Sequence, residues 1–169
     1  MFDAEVAGVD AFIAEYKTLD GFFPGWSRSY GRDYTARWGV IDALNIRRGE
    51  LVFSVDRDLI KPTIVVLMDR RLIHRTDIVP DGVVETNPLW AAELMLPSTV
   101  NGSHVHPWWA NKEWVRENGF GPQCLQVRAP FPRGIDTLEQ GLAVTAEAVN
   151  ITINPDQRDC RLPTRSELF

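Results

Sequence analysis

The stretch "YTARWGVIDALNIRRGELVFSVDRDLIKPTIVVLMDRRLIHRTDIV", residues 34–79, decides the fold. Its strand signals are Tyr34–Ile41, Glu50–Val55, Thr63–Met68 and Arg71–Val79, divided by polar or glycine-containing turns such as "NIRRG" and "MDRR". The separations admit hairpins only, because a parallel crossover needs a dozen residues or more. The spacing therefore predicts an antiparallel meander.

Upstream, residues 3–18 read as an amphipathic helix. Val6, Val9, Phe12, Ile13 and Tyr16 share one stripe, Asp3 is placed to cap the start, and Gly21 lies just past the end. The buried face is expected to carry Val6, Val9, Ile13 and Tyr16. The segment "LDGFFPGWSRSYG" (19–31) is punctuated by glycines and a proline and reads as a loop with exposed aromatics.

Downstream, from Pro80 to about Phe131, the pattern is irregular, with proline at 80, 88, 97, 107, 122 and 130. Long loop regions inside compact domains are more often functional than not. Asp136 and Glu139 then form a helix cap, and Ile135, Leu138, Leu142, Ala146 and Val149 continue a buried stripe to about Asn150. The fold class is α+β: an N-terminal helix, an antiparallel β-meander, a long irregular active-site region and a C-terminal helix. Residues 1–154 read as a single domain, and 155–169 as a polar C-terminal tail lying loosely on its surface.

The 169 residues, 44% of them hydrophobic, are enough for one sizeable core and too few for two ordinary domains. A net charge of -5 and a pI near 5.2 disfavour nucleic acid as a partner, since a phosphate-binding surface wants clustered Lys and Arg. The N-terminus "MFDAEVAGVDAF" carries acids where a secretory signal carries bases, and no apolar run is long enough to cross a bilayer. A cytoplasmic protein without a membrane partner is expected, with Cys124 and Cys160 as free thiols.

Between residues 103 and 127, "SHVHPWWANKEWVRENGFGPQCLQV", the reactive side chains crowd together. On an extended segment the i, i+2 spacing of His104 and His106 puts both imidazoles on one face. Two ligands leave a zinc tetrahedron incomplete, and a third would have to come from His74, Cys124, Asp77 or a glutamate elsewhere, so neither a metal nor a cofactor is expected. Trp114 and at least one of Trp108 and Trp109 are expected to pack the loop onto the sheet. Cys124 follows the turn "GFGPQ" and precedes the apolar alternation "LQV". That setting suits a rigid, partly exposed nucleophile, or else a small buried hydrophobe. Cys160, in the polar tail, has no such surroundings.

The order of parts resembles the catalytic domain of ubiquitin-conjugating enzymes, the UBC fold. His106-Pro107 in "SHVHPWWAN" is similar to the start of the family's His-Pro-Asn tripeptide. "GPQCLQV" resembles its glycine, two residues, cysteine, leucine pattern, and "RAPFPRGIDTLEQGLAVTAEAV" its proline-bearing turn and following helix. The resemblance implies that Cys124 accepts a ubiquitin-like protein as a thioester from an activating enzyme, with His106 beside it. Trp108 stands where the family keeps its asparagine, leaving Asn111 to supply the oxyanion-stabilising amide. The interval from His106-Pro107 to Cys124 is also longer than usual, with room for a helical turn around "ANKEWVREN". Such departures look like bacterial relatives found in antiviral operons, or like a non-catalytic adaptor of the same fold that binds the ubiquitin-like protein or its activating enzyme. The N-terminal helix and Phe22–Trp26 would form the docking surface. A second arrangement, "RTDI…NP…GSHVH" (Arg75, Asp77, His104, His106), is similar to small bacterial toxin-type proteins. It implies a histidine-dependent RNase using His104 and His106 as acid and base, or a metal-dependent hydrolase.

Overall fold

The computed structural model describes residues 2–28, 33–58, 60–131 and 134–164; residues 29–31 of the aromatic loop and 165–169 of the tail lie outside the described residues. The four predicted strands are present as β3 (Tyr34–Ile41), β4 (Arg47–Val55), β5 (Thr63–Met68) and β6 (Arg71–Asp77), paired antiparallel in succession. Two shorter strands precede them, β1 (Lys17–Leu19) and β2 (Ser27–Arg28), both paired with β3. The class is α+β with an antiparallel-rich sheet and several helices.

Strand alternation divides this sheet into two faces. Ala36, Trp38 and Val40 of β3, Leu51, Phe53 and Val55 of β4, and Ile64, Val66 and Met68 of β5 are all buried. Cross-strand partners such as Phe53 and Ile64 put them on one face, which packs under the helices. Phe23 and Trp26 of the loop 19–31 close one end of this core through edge-on contacts with Trp38 and Phe53, so they are packed, while Phe22 remains exposed.

Helix α1 (Asp3–Ala14) is shorter than its periodicity predicts. Its last carbonyls are taken by the buried Lys17 ammonium, which bonds Phe12 and Glu15 and lies 4.5 Å above the Phe12 ring. Glu15 turns extended, and Lys17–Leu19 join the sheet as a strand. Val6, Val9 and Phe12 face the core, Ile13 packs at its margin, and Tyr16 is 54% exposed. The N-cap position falls on Phe2, and Asp3, the first helical residue, pairs with Arg116.

The region from Pro80 to Phe131 is less irregular than its prolines indicate. It contains a hairpin of β7 (Val84–Thr86) and β8 (Thr99–Asn101) around a 3-10 helix at Leu89–Leu94. Strand β9 (His104–His106), helix α2 (Trp108–Asn118) and strand β10 (Ala129–Pro130) follow. Pro107 is the extended N-cap residue of α2, where its missing N–H costs the helix no hydrogen bond. Trp108 is buried, donates to Asp10 and stacks on Phe120; Trp114 is half-buried, and Trp109 faces outward. Helix α3 (Leu138–Ala148) starts one residue later than expected, because Thr137 and Gln140 form the capping box in place of Asp136 and Glu139. A Cβ at Gly141 would stand 2.5 Å from Ile78, so glycine is what lets α3 lie this close to the sheet.

The full strand order is β10-β9-β6-β5-β4-β3-β1-β11, where β11 (Ile151–Thr152) joins β1 in parallel. The tail is not loose as far as it is described. Gln157 is buried and donates to the carbonyls of Leu19 and Gly21, and Cys160 is buried beside it in the chain. Among the described residues no helix is long and apolar enough to cross a membrane.

These contacts rank the α1 positions. Phe12→Ala should cost about 3–5 kcal/mol in urea denaturation, and Tyr16→Ala less than about 0.5 kcal/mol. Equal losses would mean that α1 presents a different face to the sheet.

Candidate functional site

Strands β6 and β9 pair antiparallel with Arg75 opposite His106 and Asp77 opposite His104. Directly opposed residues share a face, and so do residues i and i+2 of one strand. All four side chains therefore lie together on the face of the sheet turned away from α3. Thr76 and His74, one residue out of phase, point toward α3, where Thr76 Oγ1 meets Thr145 Oγ1 at 2.7 Å.

Asp77 is the hub. Its Oδ1 accepts from Thr63 Oγ1 and from Arg75 Nε, each at 2.9 Å. Its Oδ2 lies 3.2 Å from His106 Nε2 and 3.3 Å from His104 Nε2. The other ring nitrogens face the backbone: His104 Nδ1 is 2.9 Å from the Gly102 carbonyl, and His106 Nδ1 is 2.8 Å from the Leu125 carbonyl. A carbonyl only accepts, so each Nδ1 carries a proton, and both Nε2 atoms face the same Asp77 oxygen. His104 is wholly buried, and its Nε2 has no hydrogen-bond partner.

Burial by itself would raise the Asp77 carboxyl, but the two ring nitrogens and the Arg75 guanidinium outweigh it and hold the group well below the usual carboxylate range. Burial pushes the His106 ring down, against the pull of Asp77. On the other face burial, helped by the charge of His106, lowers His74 to about 4.

A cleft of about 500 Å³ opens over His106, with Arg75, Asn87, Gln123 and Arg128 among its walls. Two buried amides hold the segment that forms its floor. Asn111 donates to the carbonyls of Pro107 and Val127 and accepts from the Val127 N–H. Asn87 donates to the carbonyls of Pro97 and Arg128 and accepts from the Arg128 N–H. Together they place the Leu125 carbonyl against His106. The Asn111 amide is thus spent on backbone, and the oxyanion role expected of it has no free donor here.

Cys124 is 1% exposed, belongs to the main hydrophobic core, and donates its S–H to the Leu72 carbonyl at 3.5 Å. Desolvation raises its thiol, with backbone N–H groups opposing weakly. The turn before it makes the position rigid but does not expose it. Cys160 is pushed to about 12 by burial and by the charges of Asp159 and Glu139.

Of the residues singled out from sequence, the structure gathers His104 and His106 with Asp77 and Arg75. It sets Asn111 and Cys124 into packing roles. Asp77 was one of four candidates for a third ligand, and only strand register selects it. Thr63, Gly102 and Leu125 carried no signal, because two act through backbone carbonyls. Compared with protein-family models, curated proteins and solved structures, the chain matches none.

The burial of both thiols sets their reactivity. Iodoacetamide should label Cys124 and Cys160 of the native protein at least about tenfold more slowly than in urea at the same pH. Rapid labelling of native Cys124 alone would show a reactive thiol that this packing does not provide.

Proposed function

We propose that the chain is a hydrolase whose reacting centre is the Asp77–His104–His106 cluster, acting on an anionic ester of the phosphate class held in the cleft over His106. One observation carries the reading: His106, which with His104 meets one Asp77 carboxylate oxygen, lines a cleft that Arg75 also lines. A carboxylate flanked by two imidazoles is a sink for positive charge. A water at the cleft floor becomes more nucleophilic as its proton is drawn toward that charge sink. Its oxygen then bonds to phosphorus, the P–O bond to the leaving alcohol breaks, and the proton ends on the leaving oxygen. Arg75 is half exposed and stands ready to neutralise the phosphoryl oxygens in the transition state. The net charge of -5 favours a small phosphoester over a long nucleic acid.

Hydrolysis of bis(4-nitrophenyl) phosphate and of a short RNA oligonucleotide tests this. His106→Gln and Arg75→Ala should each lower kcat/KM by about 100-fold or more, while Cys124→Ala should turn over at the wild-type rate. A wild-type protein inert toward both substrates would end the hydrolytic reading.

A second reading has its own support. An N-terminal helix, an antiparallel meander, His106-Pro107, Cys124 and a capped helix occur in the order that the UBC resemblance implies. In that reading the buried Cys124 fits an adaptor that binds a ubiquitin-like protein or its activating enzyme, in a bacterial antiviral setting. The carrier form needs residues 122–124 to open before a thioester can form. Incubation with a cognate ubiquitin-like protein, its activating enzyme and ATP separates the two. A dithiothreitol-sensitive adduct lost in Cys124→Ala supports the carrier, co-elution without an adduct supports the adaptor, and neither result removes the reading.

A further inference from the structure

We propose that Asp77, His104 and His106 bind one divalent first-row transition-metal ion, of the zinc, cobalt or manganese class. The ion is held by His104 Nε2, His106 Nε2 and one Asp77 carboxylate oxygen, with its remaining positions turned to the cleft. The inference shares its site with the hydrolytic reading but stands on geometry alone, so binding and turnover succeed or fail separately.

The donor set is the first argument. Two imidazoles and a carboxylate are the ligands such ions take in sites that keep a position open for water or substrate. Magnesium and calcium, which prefer all-oxygen shells, fit two imidazoles poorly. Each ligand offers one atom, and the three atoms lie within 4.8 Å of one another. The two Nε2–Oδ2 separations of 3.2 and 3.3 Å are close to the edge of a tetrahedron, about 3.3 Å, for ligand bonds of about 2.0–2.1 Å.

Orientation is the second argument. Histidines that bind metal hold the ring with the other N–H, usually on a carbonyl or carboxylate. Here His104 Nδ1 is held by the Gly102 carbonyl and His106 Nδ1 by the Leu125 carbonyl. Asp77 is held through its second oxygen by Thr63 and Arg75. Every proposed ligand is thus fixed from behind.

The third argument is what the cluster lacks without a cation. Both Nε2 atoms point at a single carboxylate oxygen, and the buried His104 Nε2 has no hydrogen-bond partner. A metal ion would satisfy both ring nitrogens and the carboxylate at once.

The test uses the whole chain, stripped with EDTA, dialysed and titrated with ZnCl2 or CoCl2 by calorimetry. One ion per chain is expected, with a rise in Tm and, for cobalt, a visible absorption band of low-symmetry coordination. His104→Gln and Asp77→Asn should abolish the cobalt band. Thr63→Val, which removes only the support behind Asp77, should weaken binding about 10- to 100-fold. Cys160→Ser should bind as wild type does. Circular dichroism identifies any variant that fails to fold, and Thr63→Val then carries the test. A folded wild-type protein that binds neither ion, or binding that survives His104→Gln unchanged, overturns the inference. Binding without phosphoester cleavage leaves the metal site standing and ends the hydrolytic reading. Cleavage by a wild-type protein that binds no ion in the titration does the reverse.

Discussion

The register of one strand pair governs this molecule. Because Arg75 faces His106 and Asp77 faces His104 across β6 and β9, four polar side chains fall on one face of the sheet. A slip of one residue would turn both histidines toward α3 and leave Asp77 without them. The same alternation sends His74 and Thr76 the other way, into a separate buried network that ends on Thr145 and the Gly141 carbonyl. Two polar groups with different tasks are thereby kept apart by the thickness of a sheet.

A register matters only if the strand carrying it is held, and β9 is a three-residue strand near the sheet edge. Its outer neighbour β10 is shorter still, so hydrogen bonds outside the ladder do much of the fixing. Buried loop backbone must find partners, and side-chain amides can supply both donors and acceptors. Asn87 and Asn111 each bracket the segment after Cys124 with three bonds to backbone. Ser103 ties the loop before β9 to the Val79 and Ile135 carbonyls. Together they bring the Leu125 carbonyl to His106 and fix the chain just before β9.

Neighbouring residues in this segment face different surroundings. The Leu125 carbonyl turns to His106 under the cleft, while the thiol of Cys124, one residue earlier, turns to the Leu72 carbonyl and the core. A glycine- and proline-rich approach limits how the chain can move, but it says nothing about which side of the chain meets water. For that reason a motif that looked like a nucleophile's setting has become packing, and of the histidine pair with an incomplete ligand count His106 lines the cleft.

Local chemistry was legible in the sequence. The meander followed from β-rich segments separated by turns too short for crossovers, and the amphipathic stripes found α1 and α3 to within a few residues of their ends. Histidine spacing at i, i+2 correctly put both rings on one face, since strand geometry alone requires it. The end of α1 was not legible, because a lysine three residues beyond it reaches back to bond its carbonyls. Of α2 the sequence showed only room for a helical turn around residues 110–118, because a proline that signals irregular chain also stands at helix starts. Partners distant in sequence were beyond reach altogether: Asp77 and His104 are joined by a strand register, and Leu125 and His106 by two amides bracketing a loop. The sequence by itself determined which side chains exist and the period with which they face in or out. The tertiary structure decided which of them meet, because long-range pairing depends on the packing of the whole sheet and not on any one segment's preference.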